Sequence, residues 1–445
     1  MMTSKKLIGL FLFPALLGIS LCNAQEQSIN SPDIENWNAK FQSTFVWQRK
    51  PGFNAPYSGP LSLAPQQEET YTWSATMALG KRLWEGGEIY FDPEVAMGVP
   101  LSNLTGLGGF YNGEITRASG DMPIIYPVRL FMRQTWGQGG GEVAMSSAMN
   151  QVAGVVDKNR TVMTLGFLPP LDIFDNNQYA HDPRTQFMNW CNMTYCAFDY
   201  AADSRGNSWG VALEYYRDDW VLRFGQFMQP LLANQLPLDQ DLLRHFGQNF
   251  EIEHAHEIAG QPGKLRLLAF RNRAVMGGYE DALNYAVIHG GVQNTANTLR
   301  EREKYGAGLG LEQAITPALG IFAREMWQDG GSDTYAFTEA HHSLAAGFVL
   351  SGAVWQREQD SVGVSAMQNE ISDAYQKYLQ AGGLGFFIGD GALNYRPEQI
   401  LETYYSLNMA HGIWLAADYQ YIRNPAYNAD RGPLSIVGIR LHWEN

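Results

Sequence analysis

The feature that most constrains this chain is an alternation of apolar and polar residues that recurs along most of its length. Residues 70–80 give the clearest case, with Tyr71, Trp73, Ala75, Met77 and Leu79 in one register and Thr70, Thr72, Ser74, Thr76, Ala78 and Gly80 in the other. Successive side chains of a β-strand point to opposite faces of its sheet. The pattern therefore predicts strands with one apolar face, and it recurs at 401–409, 413–421 and 437–443.

The length and number of these segments favour a membrane barrel. We expect roughly sixteen strands, paired as hairpins with one short turn and one longer loop, as in outer-membrane barrels. A strand of a soluble sandwich averages about 5–6 residues, whereas a tilted strand needs about 9–11 to cross a bilayer. The predicted fold is all-β: a transmembrane antiparallel β-barrel with in-folded loops and a short loop helix. A secreted β-sandwich or propeller is the alternative.

A strand predicted at residues 126–136 carries cations on one face. Val128, Leu130 and Met132 share one register, and Arg129, Phe131 and Arg133 share the other. A soluble sandwich would bury the first set. In a membrane barrel the apolar face meets lipid and the charged face lines the water-filled interior.

The N-terminus has the pattern of a secretory signal peptide. Lys5 and Lys6 precede an apolar run at 7–21, and small residues up to Ala24 suit cleavage before Gln25. We therefore expect a signal peptide at 1–24 and one barrel domain at 25–445. A lipoprotein acylated at Cys22 is the alternative. No segment after the signal is apolar and long enough to predict a transmembrane helix.

Two cysteines remain in the exported part. Cys191 and Cys196 form an even pair, which favours a local disulfide; a Cys-x4-Cys metal half-site is the alternative, although no second ligand pair lies nearby. We expect no metal and no cofactor. The formal net charge of -14 argues against nucleic acid as a partner.

Two stretches interrupt the alternation. Residues 366–379 contain good helix formers, and residues 172–207 are polar, aromatic and cysteine-bearing. Loops of this length are uncommon without a task, so in a barrel we expect them to fold into the mouth or cover it.

Several motifs resemble the carbohydrate-selective porins of Gram-negative outer membranes (the OprB type). They are Arg-Leu-Phe-Met-Arg-Gln-Thr-Trp (129–136), Phe-Met-Asn-Trp (187–190), Gly-Lys-Leu-Arg-Leu-Leu-Ala-Phe-Arg-Asn-Arg (263–273), Gly-Asp-Gly-Ala-Leu-Asn-Tyr (389–395) and Asn-Pro-Ala-Tyr-Asn-Ala-Asp-Arg-Gly-Pro (424–433). The segments 101–106 and 112–114 also look similar. This resemblance implies a sixteen-stranded barrel in which in-folded loops narrow a pore for sugars, with arginines, acids and aromatics at the constriction.

The resemblance also implies roles for particular residues. It assigns Arg129 and Arg133 to a basic wall, Trp190 to sugar stacking, and Asn103 to substrate binding. Glu94 is our own inference, because it shares the polar face of a predicted strand with Asp92. Each residue has a structural alternative: the charged groups would brace the barrel wall, and Trp190 would anchor a loop. Barrels of this class usually end in Phe on the lipid face, where this sequence has Asn445.

The predicted function is passive, carbohydrate-selective diffusion of sugars such as glucose, without catalysis. Guanidinium groups donate several hydrogen bonds to hydroxyls and carboxylates accept from them. Conduction requires weak binding. The expected partners are mono- or oligosaccharides and outer-membrane lipid, with a homotrimer as one possible assembly. The rivals are an exported carbohydrate-active β protein and a structural outer-membrane barrel with a plugged lumen.

Overall fold

In the computed structural model, the described residues are 34–117, 120–337 and 339–445. The signal peptide predicted at 1–24 lies outside them. Sixteen strands form a closed barrel, and two shorter strands form a separate hairpin. The strands are β1 (Trp37–Lys50), β2 (Glu68–Trp84), β3 (Gly87–Val99), β4 (Gly120–Gly137), β5 (Glu142–Met145), β6 (Gly154–Asp157), β7 (Arg160–Leu168), β8 (Ser208–Arg217), β9 (Trp220–Met228), β10 (Phe246–Ile258), β11 (Gln261–Met276), β12 (Arg300–Thr316), β13 (Leu319–Gln328), β14 (His342–Ser351), β15 (Ser361–Glu370), β16 (Glu398–Ala410), β17 (Ile413–Arg423) and β18 (Leu434–Glu444).

The barrel is antiparallel and closes between its first and last strands. Neighbours in the barrel follow sequence order, except that β4 pairs with β7 because the β5–β6 hairpin lies outside the wall. Pairs such as Ser43↔Trp443 and Trp47↔Ile439 join β1 to β18. Closure leaves no unpaired barrel edge, which a bilayer requires because lipid offers backbone groups no hydrogen bonds. The predicted sixteen-stranded barrel is confirmed.

The two faces of the wall follow the alternation in the sequence. In β2, Thr72 and Thr76 are buried inside the barrel, while Met77 is exposed on its outside. The outward set elsewhere is apolar, for example Phe45, Leu213, Leu267, Leu309 and Leu441. The barrel thus has an apolar outer surface and a polar interior, as a membrane barrel does.

Val128 on β4, the strand that carries Arg129 and Arg133, faces the opposite way from its prediction. Asp92 pairs with Arg129 and Pro93 with Pro127, so β4 carries a bulge that leaves Val128 without a partner. A bulge adds a residue and reverses the facing of the strand beyond it. Val128 is therefore buried inside, against Ala96 and Tyr126, and does not join the outward pair Leu130 and Met132.

The helices lie in loops at one end of the barrel. They are α1 (Trp190–Met193), α2 (Tyr279–His289) and α3 (Asp373–Gln380). The helix expected within 366–379 begins only at Asp373, because Ser365, Met367 and Asn369 still alternate inward on β15. Among the residues described, no helix has the length and hydrophobicity needed to cross a membrane.

The loop between β7 and β8, residues 169–207, folds into the lumen. Glu402 accepts hydrogen bonds from Met188 N (2.6 Å) and Asn189 N (3.0 Å). On another part of the wall, Arg324 donates to Asp175 Oδ1 (2.9 Å) and to the carbonyl of Ala180 (2.6 Å). These contacts fix the predicted in-folded loop across the barrel and leave a cavity beside β3, β4 and β7.

Candidate functional site

The candidate site is a cavity of about 590 Å³ inside the barrel. It lies between the wall strands, the loop 169–207 and the connection 138–159. Among the residues described, the lining contains no lysine. Its arginines are at positions 82, 117, 129, 133, 160, 184, 205 and 223. Acidic side chains lie among them, including Glu114, Asp172 and Glu214. Hydrogen-bond donors and acceptors therefore line the same cavity.

Arg129 joins the wall to the in-folded loop. Its Nε and Nη2 donate to Asp172 Oδ2 and Oδ1 at 2.5 and 2.6 Å, and Nη1 lies 3.4 Å from Asp92 Oδ2. Asp172 ends the 3-10 turn Pro170–Asp172, directly after β7. This bidentate pairing orients the guanidinium and occupies three of its nitrogens. Arg129 is thus both a cavity wall and a brace of the loop.

Arg133 has a different environment. Its guanidinium carbon lies 5.2 Å from the ring centre of Tyr90 and 5.3 Å from that of Phe131, within the range of cation–π contacts. Nη1 donates to the carbonyl of Asn150 at 3.0 Å. Among the described residues, no carboxylate lies within ion-pair distance of it. Arg133 therefore offers unpaired N–H groups to the cavity.

Glu94 does not reach the cavity surface. Its carboxylate accepts from Arg184 Nη2 (2.8 Å), the Tyr126 hydroxyl (2.5 Å) and the Thr76 hydroxyl (2.7 Å), and its side chain is fully buried. Arg117 completes the set at 3.4 Å. The structure thus places Glu94 behind the arginines that line the cavity, as an acceptor that holds them.

Arg184 connects the in-folded loop to this acidic pair. Besides Glu94, its Nε donates to Glu114 Oε2 at 2.9 Å, and its side chain is 7% exposed. Burial disfavours the charged form, but the Glu114 and Glu94 carboxylates outweigh this and raise the pKa of Arg184 well above its ordinary value. The cluster of Arg184, Arg117, Glu94 and Glu114 is here called the loop clasp.

Trp190 lines the cavity but is only 3% exposed. Its ring packs edge-on against Phe110, with ring centres 5.8 Å apart, and lies tilted against Phe337, with ring centres 4.7 Å apart. Next to it, Cys191 and Cys196 form a disulfide. The tryptophan is held rigidly in an aromatic cluster, with a small part of its surface towards the cavity.

Asn103 lies away from these residues. It sits with positive φ in the turn Leu101–Leu104, is exposed, and is not part of the cavity lining. The neighbouring Ser102 ties this turn to Glu68 on β2. The structure therefore brings Arg129, Arg133 and Trp190 to one cavity, with Glu94 behind it and Asn103 elsewhere.

Sequence reasoning missed Asp172, Glu114 and Arg184. Asp172 and Arg184 lie in the long polar loop, whose sequence has no periodicity to reveal their direction. Glu114 is within the motif 112–114, which marked the segment without indicating its partner. Among the residues that the structure describes, no group of three or more His, Cys, Asp or Glu side chains is arranged to hold a metal ion.

Known proteins were compared with this chain by structure and by sequence. OprB of Pseudomonas putida superposes with a TM-score of 0.68 at 14% identity, covering 92% of this chain and 94% of that one. OccK2 (OpdF) of Pseudomonas aeruginosa superposes with a TM-score of 0.47 at 8% identity, covering 92% and 98%. No curated protein sequence matches. The sequence profile of the family described as carbohydrate-selective porin, OprB family, matches residues 62–444. With a closed barrel and a match over most of its length, this chain belongs to the carbohydrate-selective porin, OprB family.

Proposed function

We propose that this protein is a channel for the passive diffusion of sugars such as glucose across a Gram-negative outer membrane. The observation that carries the proposal is that one cavity holds both the guanidinium of Arg133, which has no ion-pair partner among the described residues, and the carboxylate of Asp172, which is held by Arg129. Short turns of such barrels face the periplasm and longer loops face outward. The in-folded loop 169–207 would then narrow the pore from the outer side.

The chemistry suits an uncharged, hydroxyl-rich solute. Arg133 donates to hydroxyl oxygens, and Asp172 accepts from hydroxyl groups with the lone pairs that Arg129 leaves free. The rings of Phe131 and Trp190 add apolar contact for C–H groups. The site replaces part of the solute's hydration, and its open, wet lining keeps binding weak enough for release. We expect affinity in the millimolar range, about 4 kcal/mol.

Liposome swelling tests the proposal. Liposomes containing the barrel should swell faster in glucose than empty liposomes. If they do not, the sugar-channel proposal fails and a barrel plugged by the in-folded loop replaces it. A soluble enzyme would instead be recovered without detergent and would lack heat-modifiable gel mobility.

The role of Arg133 is tested by glucose block of the ion current in planar bilayers. Arg133→Ala removes charged hydrogen-bond donors, so the half-blocking glucose concentration should rise about tenfold, equivalent to about 1.4 kcal/mol. Arg217→Ala is the control, because Arg217 is 58% exposed at a short turn and outside the cavity lining. Equal block in the two variants would remove Arg133 from the site. Assembly as a homotrimer is a separate proposal, which native mass spectrometry in detergent tests.

A further inference from the structure

The connection between β4 and β7 differs from the other connections at its end of the barrel. Five of the described connections there are two-residue turns, at 85–86, 218–219, 259–260, 317–318 and 411–412. Residues 138–159 instead carry the β5–β6 hairpin, in which Val143 pairs with Val156 and Met145 with Gly154. We call residues 138–159 the inner hairpin.

Side chains of the barrel wall tie the inner hairpin beneath the lumen. Asn38 Nδ2 donates to the carbonyl of Gln151 at 2.7 Å, and the Tyr90 hydroxyl accepts from Val152 N at 3.2 Å. Glu35 accepts from Ala153 N at 2.7 Å. Because these anchors come from residues before β1, on β1 and on β3, the hairpin is drawn across the short-turn end.

The tip of the inner hairpin lines the same cavity as the arginines. Met145, Met149, Asn150 and Gln151 all contribute to its wall. A two-residue turn at this position would leave that space open. The cavity therefore has a second boundary, at the end opposite the in-folded loop 169–207.

Asn150 connects this boundary to both arginines of the basic wall. Its carbonyl accepts from Arg133 Nη1 at 3.0 Å, and its Nδ2 donates to Asp92 Oδ2 at 2.9 Å. Asp92 is fully buried and also faces Arg129. Asn150 has φ of 57°, a left-handed conformation that asparagine tolerates better than most residues. One residue thus positions the guanidinium of Arg133 through its backbone carbonyl, and Asp92, the second acid beside Arg129, through its side chain.

We propose that the inner hairpin is a second filter of the pore, which sets its size limit at the short-turn end, and that Asn150 is its positioning residue. The inference goes beyond the proposed function, since it assigns the size limit to an element that the sequence did not single out. It rests on solute passing through the cavity, and its test separates the two claims.

Removing the hairpin tests the filter. Gln138 N donates to the carbonyl of Asn159, so deletion of residues 140–157 leaves Gly139 and Lys158 as a two-residue turn. Two narrow segments in series add their resistances, and loss of one of comparable width should roughly double the ion conductance. Poly(ethylene glycol) of graded size should enter the deleted channel at a larger size than it enters the wild type. An unchanged conductance and size limit would overturn the filter.

Point variants test the positioning role. Asn150→Ala keeps the backbone carbonyl that accepts from Arg133, but it removes the amide that donates to Asp92 and places alanine at a left-handed φ. The half-blocking glucose concentration should rise about tenfold, the effect of losing a hydrogen bond to a charged group. Glu142→Ala is the matched control, because Glu142 is exposed on the same hairpin and outside the cavity lining. Block by glucose that is the same in both variants would overturn the role of Asn150.

The two measurements separate this inference from the sugar-channel proposal. Polymer exclusion reads the size limit from ion current alone, so it decides the filter even if wild-type liposomes do not swell in glucose. If the deleted chain forms no heat-modifiable barrel, polymer exclusion by Asn150→Ala decides instead. A size limit larger than in Glu142→Ala supports the filter, and an equal limit overturns it.

Discussion

Replacing Arg184 by alanine should free part of the in-folded loop from the barrel wall. In the loop clasp, Arg184 Nη2 lies 2.8 Å from Glu94 and Nε lies 2.9 Å from Glu114. The side chains of these residues are 7%, 0% and 4% exposed. Removing the guanidinium leaves two carboxylates in a region with little water, which is the costly way to break a buried ion pair.

The free-energy cost of Arg184→Ala depends on the partners that Glu94 and Glu114 keep. Breaking a buried pair by removing one partner costs about 3–5 kcal/mol. Arg117 stays 3.4 Å from Glu94 and 3.8 Å from Glu114, and the Ser74 hydroxyl still donates to Glu114 at 2.8 Å. We therefore take the lower end, about 3 kcal/mol, which shifts the equilibrium between docked and undocked loop by about two orders of magnitude.

The loss should be local. Arg440 on β18 still donates to the carbonyls of Pro183 and Gln186 at 2.8 and 2.6 Å, and the anchors at Glu402 and Arg324 are untouched. We expect a barrel that remains heat-modifiable on gels, with residues 181–186 mobile. In single-channel recordings the variant should show greater open-channel noise and a larger mean conductance than the wild type.

Two matched variants make the result decisive. Arg217→Ala removes an arginine that is 58% exposed and lies 3.7 Å from an exposed Asp218, a surface pair that contributes little. Arg184→Lys keeps the charge but lacks the planar fork that reaches both acids, so its noise should be intermediate. Noise and conductance in Arg184→Ala that equal those of Arg217→Ala would refute the clasp.

Two further predictions concern the loops around the cavity. Burial raises the pKa of Glu339 from 4.5 to about 7, although the backbone N–H groups of Phe386, Phe387 and Ile388 donate to its carboxylate and partly offset this. The native state thus holds a proton that the unfolded chain releases, so this contribution is full below about pH 4.5 and is lost as pH rises through about 7. When the pH rises from about 5 to about 8, the Tm of the wild type should fall by more than the Tm of Glu339→Gln. Equal falls in the two proteins would contradict the raised pKa of Glu339. Gly109→Ala would place a methyl group against Sγ of Cys191; this overpacking should cost about 1–3 kcal/mol, measured as a lower temperature for loss of heat-modifiable mobility, whereas Gly331→Ala, which meets only a side-chain oxygen at 3.3 Å, should change little.

Much of the site could be predicted where it lies on regular strands. Arg129 and Arg133 are both at the cavity, as their register predicted. Val128, which directly precedes Arg129, was predicted to face outward but faces inward. The alternation assumes an unbroken strand, and the bulge at Val128 depends on how β3 pairs with β4. Glu94 shows the opposite limit: its inward direction was correct, but its enclosure by Arg184 depends on a loop ninety residues later in the chain.

The sequence by itself determined the two faces of each strand, because alternation is local: successive side chains take opposite faces wherever the strand pairs. Strand length and number then set the sixteen-stranded closure. The tertiary structure alone decided what fills that barrel. The contacts of Glu402 with Met188 and of Arg324 with Asp175 join residues 214 and 149 positions apart, and no short-range pattern encodes such pairings. For the same reason the inner hairpin, whose tip meets Arg133 across the lumen, became visible only in three dimensions.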